Sequence, residues 1–237
     1  MMTLVSMLWP GPRGYTLAHA EAVAAAVARH ATFPYRFVVL TDEPPGAEST
    51  VEVQPFPAAA QPLTVVHPLS ASVYPTCLAK LWLFSAEAVA LGPTILYLDA
   101  DSLICGDLAP LVAYQPQAPF VWMANHGKLV SAMFRLATGT LTDVWTRFVA
   151  EGAPRVAAGS FFTDQTWLRR MGLATRNPCW PSEQLGLYVL KDLDGAGPIS
   201  ALPADARVVQ PTGKTKPWEA RFLQRYPWAQ EHYLWAR

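Results

Sequence analysis

Two aspartates one residue apart, Asp99 and Asp101, end the apolar run Ile95-Leu96-Tyr97-Leu98. Side chains at alternate strand positions leave the same face, so both carboxylates are expected to aim at one point. Two such charges repel and raise each other's proton affinity unless a divalent ion or a Lys or Arg compensates them. Hard carboxylate oxygens suit Mg2+ or Mn2+, ions that also hold a substrate diphosphate. The plainer reading is a turn, because Asp-x-Asp is common where a chain leaves a strand.

The elements that position these acids are readable from the pattern around them. An apolar run without alternation predicts a central strand covered on both faces, and the carboxyl end of such a strand is where open α/β sheets bind ligands. Residues 3–9 predict a first strand, residues 16–30 an Ala-rich helix and residues 37–40 a second strand, closed by Thr41-Asp42-Glu43-Pro44-Pro45. Strand, helix, strand at this spacing predicts a βαβ unit and a parallel sheet, hence the α/β class. A helix over 76–90 precedes the acidic strand, while strands at 120–124 and 132–136, helices at 141–151 and 164–171 and a short strand at 208–209 follow. Thr140 or Thr142 would cap the helix at 141. The proline-rich stretch 54–75 reads as an ordered surface loop.

Composition narrows the function class. The 237 residues fit one domain, with 51% hydrophobic and 15% charged residues, which excludes a disordered chain. Lys plus Arg and Asp plus Glu number 18 each, so no general attraction to nucleic acid or to an anionic membrane exists. The apolar surface leaves room for peripheral membrane contact or an oligomer. Cys77, Cys105 and Cys179 form no CxxC pair and read as reduced structural thiols. No signal peptide is evident, and Glu87 with Gly92-Pro93 breaks the apolar stretch 81–98, so a cytoplasmic protein without a transmembrane segment is expected.

Four segments in order carry a family resemblance. They are Lys80-Leu81-Trp82 leading into Tyr97-Leu98-Asp99-Ala100-Asp101-Ser102-Leu103 and Asp107-Leu108-Ala109-Pro110-Leu111; Tyr15 before the first helix; Asp164-Gln165 opening a later one; and Gly213-x-x-Lys216-Pro217-Trp218. In this pattern the chain resembles the GT-A nucleotide-sugar glycosyltransferases, and within them glycosyltransferase family 8, the glycogenin and bacterial lipopolysaccharide galactosyltransferase type. The resemblance implies a Rossmann-like, mostly parallel sheet flanked by helices in one domain. Its nucleotide-binding part would cover about residues 1–113 and its acceptor side about 114–237.

The resemblance also assigns roles. Asp99 and Asp101 would hold Mn2+ or Mg2+, Asp99 also reaching the donor's ribose, with Gln210 as third ligand where the family has His. Lys216 would pair with the diphosphate, Gly213 would let the backbone approach it, and Lys80 would lie against the donor. Tyr15 would stack on the base, with Trp9 an alternative. Asp164 and Gln165 would face the anomeric carbon, and Asp42, Asn125 and His126 would lie near the donor. Each has a bland counterpart: solvated lysines, a core tyrosine, and Asp164 as a helix cap. His19 and His30 read as surface or half-buried. The expected activity is metal-dependent transfer of a sugar from a UDP-sugar to a glycan, lipid-linked or protein acceptor, with retention of anomeric configuration. Gln210, and Val130 where the family has Asn, motivate an alternative: a nucleotide-sugar-binding protein of the same fold without turnover. A haloacid dehalogenase-type phosphatase is a further alternative, against which stand the late position of the acids and Leu103 two residues after the second one.

Overall fold

A computed structural model of the chain describes residues 1–8, 15–47, 49–60, 75–157, 163–194, 197–211 and 215–233. Nine strands are used below: β1 (Met2–Met7), β2 (Tyr35–Leu40), β3 (Glu52–Gln54), β4 (Thr94–Leu98), β5 (Leu103–Ile104), β6 (Phe120–Asn125), β7 (Lys128–Ala137), β8 (Leu187–Val189) and β9 (Val208–Gln210). The main sheet has six strands in the order β3-β2-β1-β4-β7-β6. Neighbours from β3 to β4 are parallel, while β7 runs antiparallel to both β4 and β6. The sheet is therefore mixed, with β7 alone reversed, in line with the mostly parallel sheet expected.

Successive residues of the inner strands feed opposite cores. Leu4, Val39, Leu96 and Leu98 pack with helix α1 (Leu17–His30) and with β5, β8 and β9 on one face. Val5, Val38, Ile95 and Tyr97 pack on the other face with residues 78–84, Phe148 and Trp167. Each large apolar side chain removed from water contributes on the order of 1.5–3 kcal/mol. Coverage on both faces is why the buried run Ile95–Leu98 before Asp99 is apolar.

Helix α1 forms where the alanines predict it. Thr16 opens it, with its backbone N–H donating to His19 Nδ1 at 2.8 Å, and Arg29 and His30 close it where the helix dipole favours cations. Residues 76–90 do not form the α-helix expected. They form two tighter 3-10 segments, Pro75–Phe84 and Glu87–Leu91. Residues 78–85 are all buried, so no solvent face exists to select an amphipathic helix. In a threefold helix positions i and i+3 eclipse, which sets Cys77 directly over Lys80. The helix expected over 141–151 is broken into Asp143–Arg147, a π turn Phe148–Gly152 and Ala153–Ala157. Neither threonine caps it through its side chain: the Thr140 hydroxyl donates to Ala137 O at 2.7 Å, and Thr142 already has helical backbone angles.

A second, three-stranded sheet in the order β5-β9-β8 stands beyond the end of β4. It was not read from the sequence beyond residues 208–209. Antiparallel pairing sets Leu103 opposite Val209 and Ile104 opposite Val208. One further step of that register brings Ser102 opposite Gln210, at the turn that carries the acids. Gly186, at the entry to β8, has φ +62°, and an added Cβ there would fall 2.0 Å from Asp205 O. No helix among the described residues is long and apolar enough to cross a membrane.

Candidate functional site

β4 ends at Leu98, and the backbone N–H of Ser102 donates to Asp99 O at 3.0 Å. Asp99 still pairs with β7 through its N–H to Ala132 O at 2.9 Å, whereas Asp101 lies in the turn, and each faces its own set of partners. Strand alternation thus carries as far as Asp99, and the turn sets the direction of Asp101.

Asp99 is 23% exposed, and its Oδ1 accepts from the Tyr97 hydroxyl at 2.7 Å and meets Lys80 Nζ at 2.8 Å. Lys80 is buried in its 3-10 segment, where its ammonium also lies 3.4 Å from Asp164 Oδ2 and from Ser131 O. Burial alone would lower the Lys80 pKa, but Asp99 and Asp164 outweigh it and raise it. Burial pushes Asp99 up, against the pull of Lys80 and with the help of the nearby Asp101 charge. Cys77, stacked over Lys80, has its thiol driven well above the ordinary range, first by burial and then by Asp164.

Asp101 is almost fully buried and holds more partners. Lys216 donates to its Oδ2, Tyr15 OH reaches the same oxygen at 3.1 Å, and Gln210 Nε2 donates to Oδ1 at 3.1 Å. The Gln210 amide oxygen accepts from Ser102 Oγ at 2.8 Å. Burial opposes ionisation of Asp101, yet Lys216 and the hydrogen bonds from Gln210 and Tyr15 prevail and hold its pKa below the usual value. Behind this group the His19 and Trp218 rings lie 4.0 Å apart, the Tyr15 ring meets Trp218 edge-on at 5.1 Å, and Tyr233 OH donates to Ala100 O at 3.0 Å.

Both lysines expected at the site are thus 5% exposed and seated on the acids, which rules out solvated surface lysines. Asp164 is buried at the first position of the helix Asp164–Arg170. The helix is capped by Thr163, whose hydroxyl accepts from Thr166 N at 3.2 Å, so Asp164 is released from that duty. Gln165 stands apart. Its Oε1 accepts from Arg169 at 3.3 Å along the helix, and no hydrogen bond among the described residues joins it to the acids. The Tyr15 ring is occupied by Trp218 and by Lys216 Nζ, 5.6 Å from its centre. Asp42 accepts from Phe56 N at 3.1 Å, and His126, at the β6–β7 tip, pairs with Asp192 at 3.1 Å. Gly213 and Trp9 lie outside the described residues.

Sequence reading missed Tyr97, Ser102, His19 and Tyr233. Tyr97 carried a signal, two residues before Asp99 and on the same side of the chain. Ser102 becomes visible only once the β5–β9 register is known, and Tyr233 only from the folded chain.

Asp99, Asp101 and Gln210 together offer carboxylate and amide oxygens, a donor set that fits Mg2+ or Mn2+ in kind. Two features qualify that fit: Gln210 turns its NH2, not its oxygen, towards Asp101, and Lys216 occupies Asp101 Oδ2. No cluster of three or more His, Cys, Asp or Glu that could hold a metal occurs among the described residues; the side chain beside Asp101 that could add an oxygen is the Gln210 amide.

No family model matches the chain, and no curated relative does. Solved structures match over nearly its whole length. The galactosyltransferase LgtC in complex with donor and acceptor sugar analogues is 13% identical, with a TM-score of 0.62 over 98% of this chain and 96% of that one. An active-site mutant of LgtC, also 13% identical, gives 0.64 over 94% of each chain. The glycosyltransferase GlyE of Streptococcus pneumoniae, 12% identical, gives 0.59 over 92% of this chain and 56% of that one. The chain accordingly has the GT-A-like α/β fold of these glycosyltransferases in a single domain.

Proposed function

We propose that this protein is a metal-dependent glycosyltransferase that moves a sugar from a UDP-sugar to an acceptor with retention of anomeric configuration. The observation that carries the reading is the convergence of Asp99, Asp101, Gln210, Lys80 and Lys216 at the carboxyl end of β4, on a fold shared with LgtC.

Breaking a glycosyl–diphosphate bond puts negative charge on the departing diphosphate, and fixed positive charge aimed at it lowers the barrier. A divalent ion held by Asp99, Asp101 and the turned amide of Gln210 would supply much of that charge. Lys216 supplies the rest, an ammonium with three donors on the loop before Trp218. Lys80 binds Asp99 and Asp164 at once and so fixes the floor of the donor site. Asp164 presents a buried carboxylate that pairs with Lys80 and lies against the Cys77 thiol. A carboxylate so placed suits attack on, or electrostatic support of, an anomeric carbon during retaining transfer.

Calorimetric titration with UDP, with and without Mn2+, tests this reading on the wild type and on Asp101→Asn. Tight binding that needs both the ion and Asp101 supports it and leads to a donor screen, with the anomeric configuration of the product read by NMR. Absence of UDP binding under every condition overturns it. Binding without turnover on any UDP-sugar replaces it with a nucleotide-sugar-binding protein.

A further inference from the structure

We infer that Lys216 is a built-in counter-ion that occupies the metal's place on Asp101 in the nucleotide-free protein, so that the divalent ion and the nucleotide diphosphate bind as a mutually dependent pair. The inference rests on the nucleotide-sugar reading and specifies how that site fills.

Charge and contact both lead there. The two acids of the β4 turn are matched one to one by ammonium groups, Lys80 on Asp99 and Lys216 on Asp101. Both oxygens of Asp101 are engaged: Oδ2 takes Lys216 and Tyr15, and Oδ1 takes Gln210. A divalent ion arriving alone would meet a neutralised carboxylate and an ammonium on the same oxygen, in a setting too buried for salt to screen. Gln210 would meet it with NH2 hydrogens, because its oxygen is held by Ser102.

A diphosphate changes each of these terms. Its oxygens offer Lys216 a more highly charged partner than Asp101, and Lys216 is free to change partner because its stem is flexible and its three N–H bonds are not bound to one geometry. Departure of the ammonium frees Oδ2 for the ion and removes the nearest repulsive charge. An ion held by Asp99, Asp101 and Gln210 would in turn supply positive charge beside the diphosphate. Linkage requires the effect to be reciprocal: the factor by which UDP tightens the ion is the factor by which the ion tightens UDP. Lys80 has no such freedom, since Asp99, Asp164 and Ser131 O hold it from three sides. Only the Asp101 half of the site is built to exchange its cation.

The test is Mn2+ binding followed by the paramagnetic signal of the free ion, with no nucleotide present and then at saturating UDP. In the wild type, nucleotide-free Mn2+ should bind at least about tenfold more weakly than in the presence of UDP, a coupling of about 1.4 kcal/mol. In Lys216→Met and Lys216→Gln, nucleotide-free Mn2+ should bind more tightly than in the wild type, and the coupling to UDP should shrink. Lys191→Met, which removes the same charge from an exposed position, should leave both quantities as they are. Adding Asp101→Asn to Lys216→Met should abolish the gained affinity. Unchanged or weaker nucleotide-free Mn2+ binding in both folded Lys216 variants overturns the inference, as does an equal gain in Lys191→Met. Loss of UDP binding in every protein would instead overturn the nucleotide-site reading, a result separate from the nucleotide-free ion titrations.

Discussion

At the scale of single residues, the site is two acid–lysine pairs, and its variants divide by what they strand. Asp101→Ala removes the carboxylate to which the buried Lys216 ammonium and the Tyr15 hydroxyl donate. Breaking such a pair costs about 3–5 kcal/mol, so chemical denaturation should show that loss alongside loss of turnover. Asp101→Asn keeps one acceptor oxygen but still leaves the Lys216 ammonium uncompensated, so it should lose turnover and retain much of that destabilisation. The acids also have opposite signatures with pH. Asp101 sits below its ordinary 3.8, so its contribution to stability is full above 3.8 and drains away as pH falls through the lower folded value. Asp99 is raised, so protonation between its folded value and 3.8 favours the folded state. Melting temperatures followed into the acid range should show a flatter acid limb in Asp101→Asn and a steeper one in Asp99→Asn. The residue types were legible before the fold: acids after a buried strand need cations, and Lys80 and Lys216 were chosen for that. The pairing was not legible, because which lysine meets which acid depends on loops about 20 and 115 residues away in sequence.

At the scale of elements, the site depends on a small sheet that the sequence hardly announces. β5, β8 and β9 have only two or three residues each, too few for any periodicity to stand out, yet their register delivers Gln210 to Ser102 and Asp101. Gly186→Ala should unseat that sheet: the left-handed backbone alone costs about 1–3 kcal/mol, and the new Cβ would collide with Asp205 O besides. A fall in melting temperature together with weaker Mn2+–UDP binding would show that the sheet's register positions Gln210 at the acids. Thr163→Ala removes the cap behind Asp164 and should cost about 0.5–2 kcal/mol, read by denaturant titration. Strong periodic elements, α1 and the central strands, were readable because propensity and burial agree there. Residues 78–85 misled because they are buried on every side, and helical periodicity reports a solvent boundary that they lack.

At the scale of the molecule, a formal net charge of zero leaves binding to local groups, and ligand energy should appear as cooperative stabilisation of one domain. At ligand concentrations of about 100 Kd, UDP with Mn2+ should add about 2.7 kcal/mol, which for a chain of this size raises the melting temperature by about 5–10 °C. Either component alone should give a clearly smaller shift in the same scan. The GT-A-like architecture was legible from the order of motifs, while the mixed edge formed by β7 and β6 emerged only from the fold. The paired charges also bear on descent. Because Lys216 is matched to the buried Asp101, and Lys80 to Asp99 and the buried Asp164, a lineage cannot drop one member and keep the other without leaving a bare charge at the site. Homologous sequences should therefore lose or exchange Asp101 together with Lys216, and Lys80 together with Asp99 or Asp164, so that the two pairs are inherited as two separate genetic units.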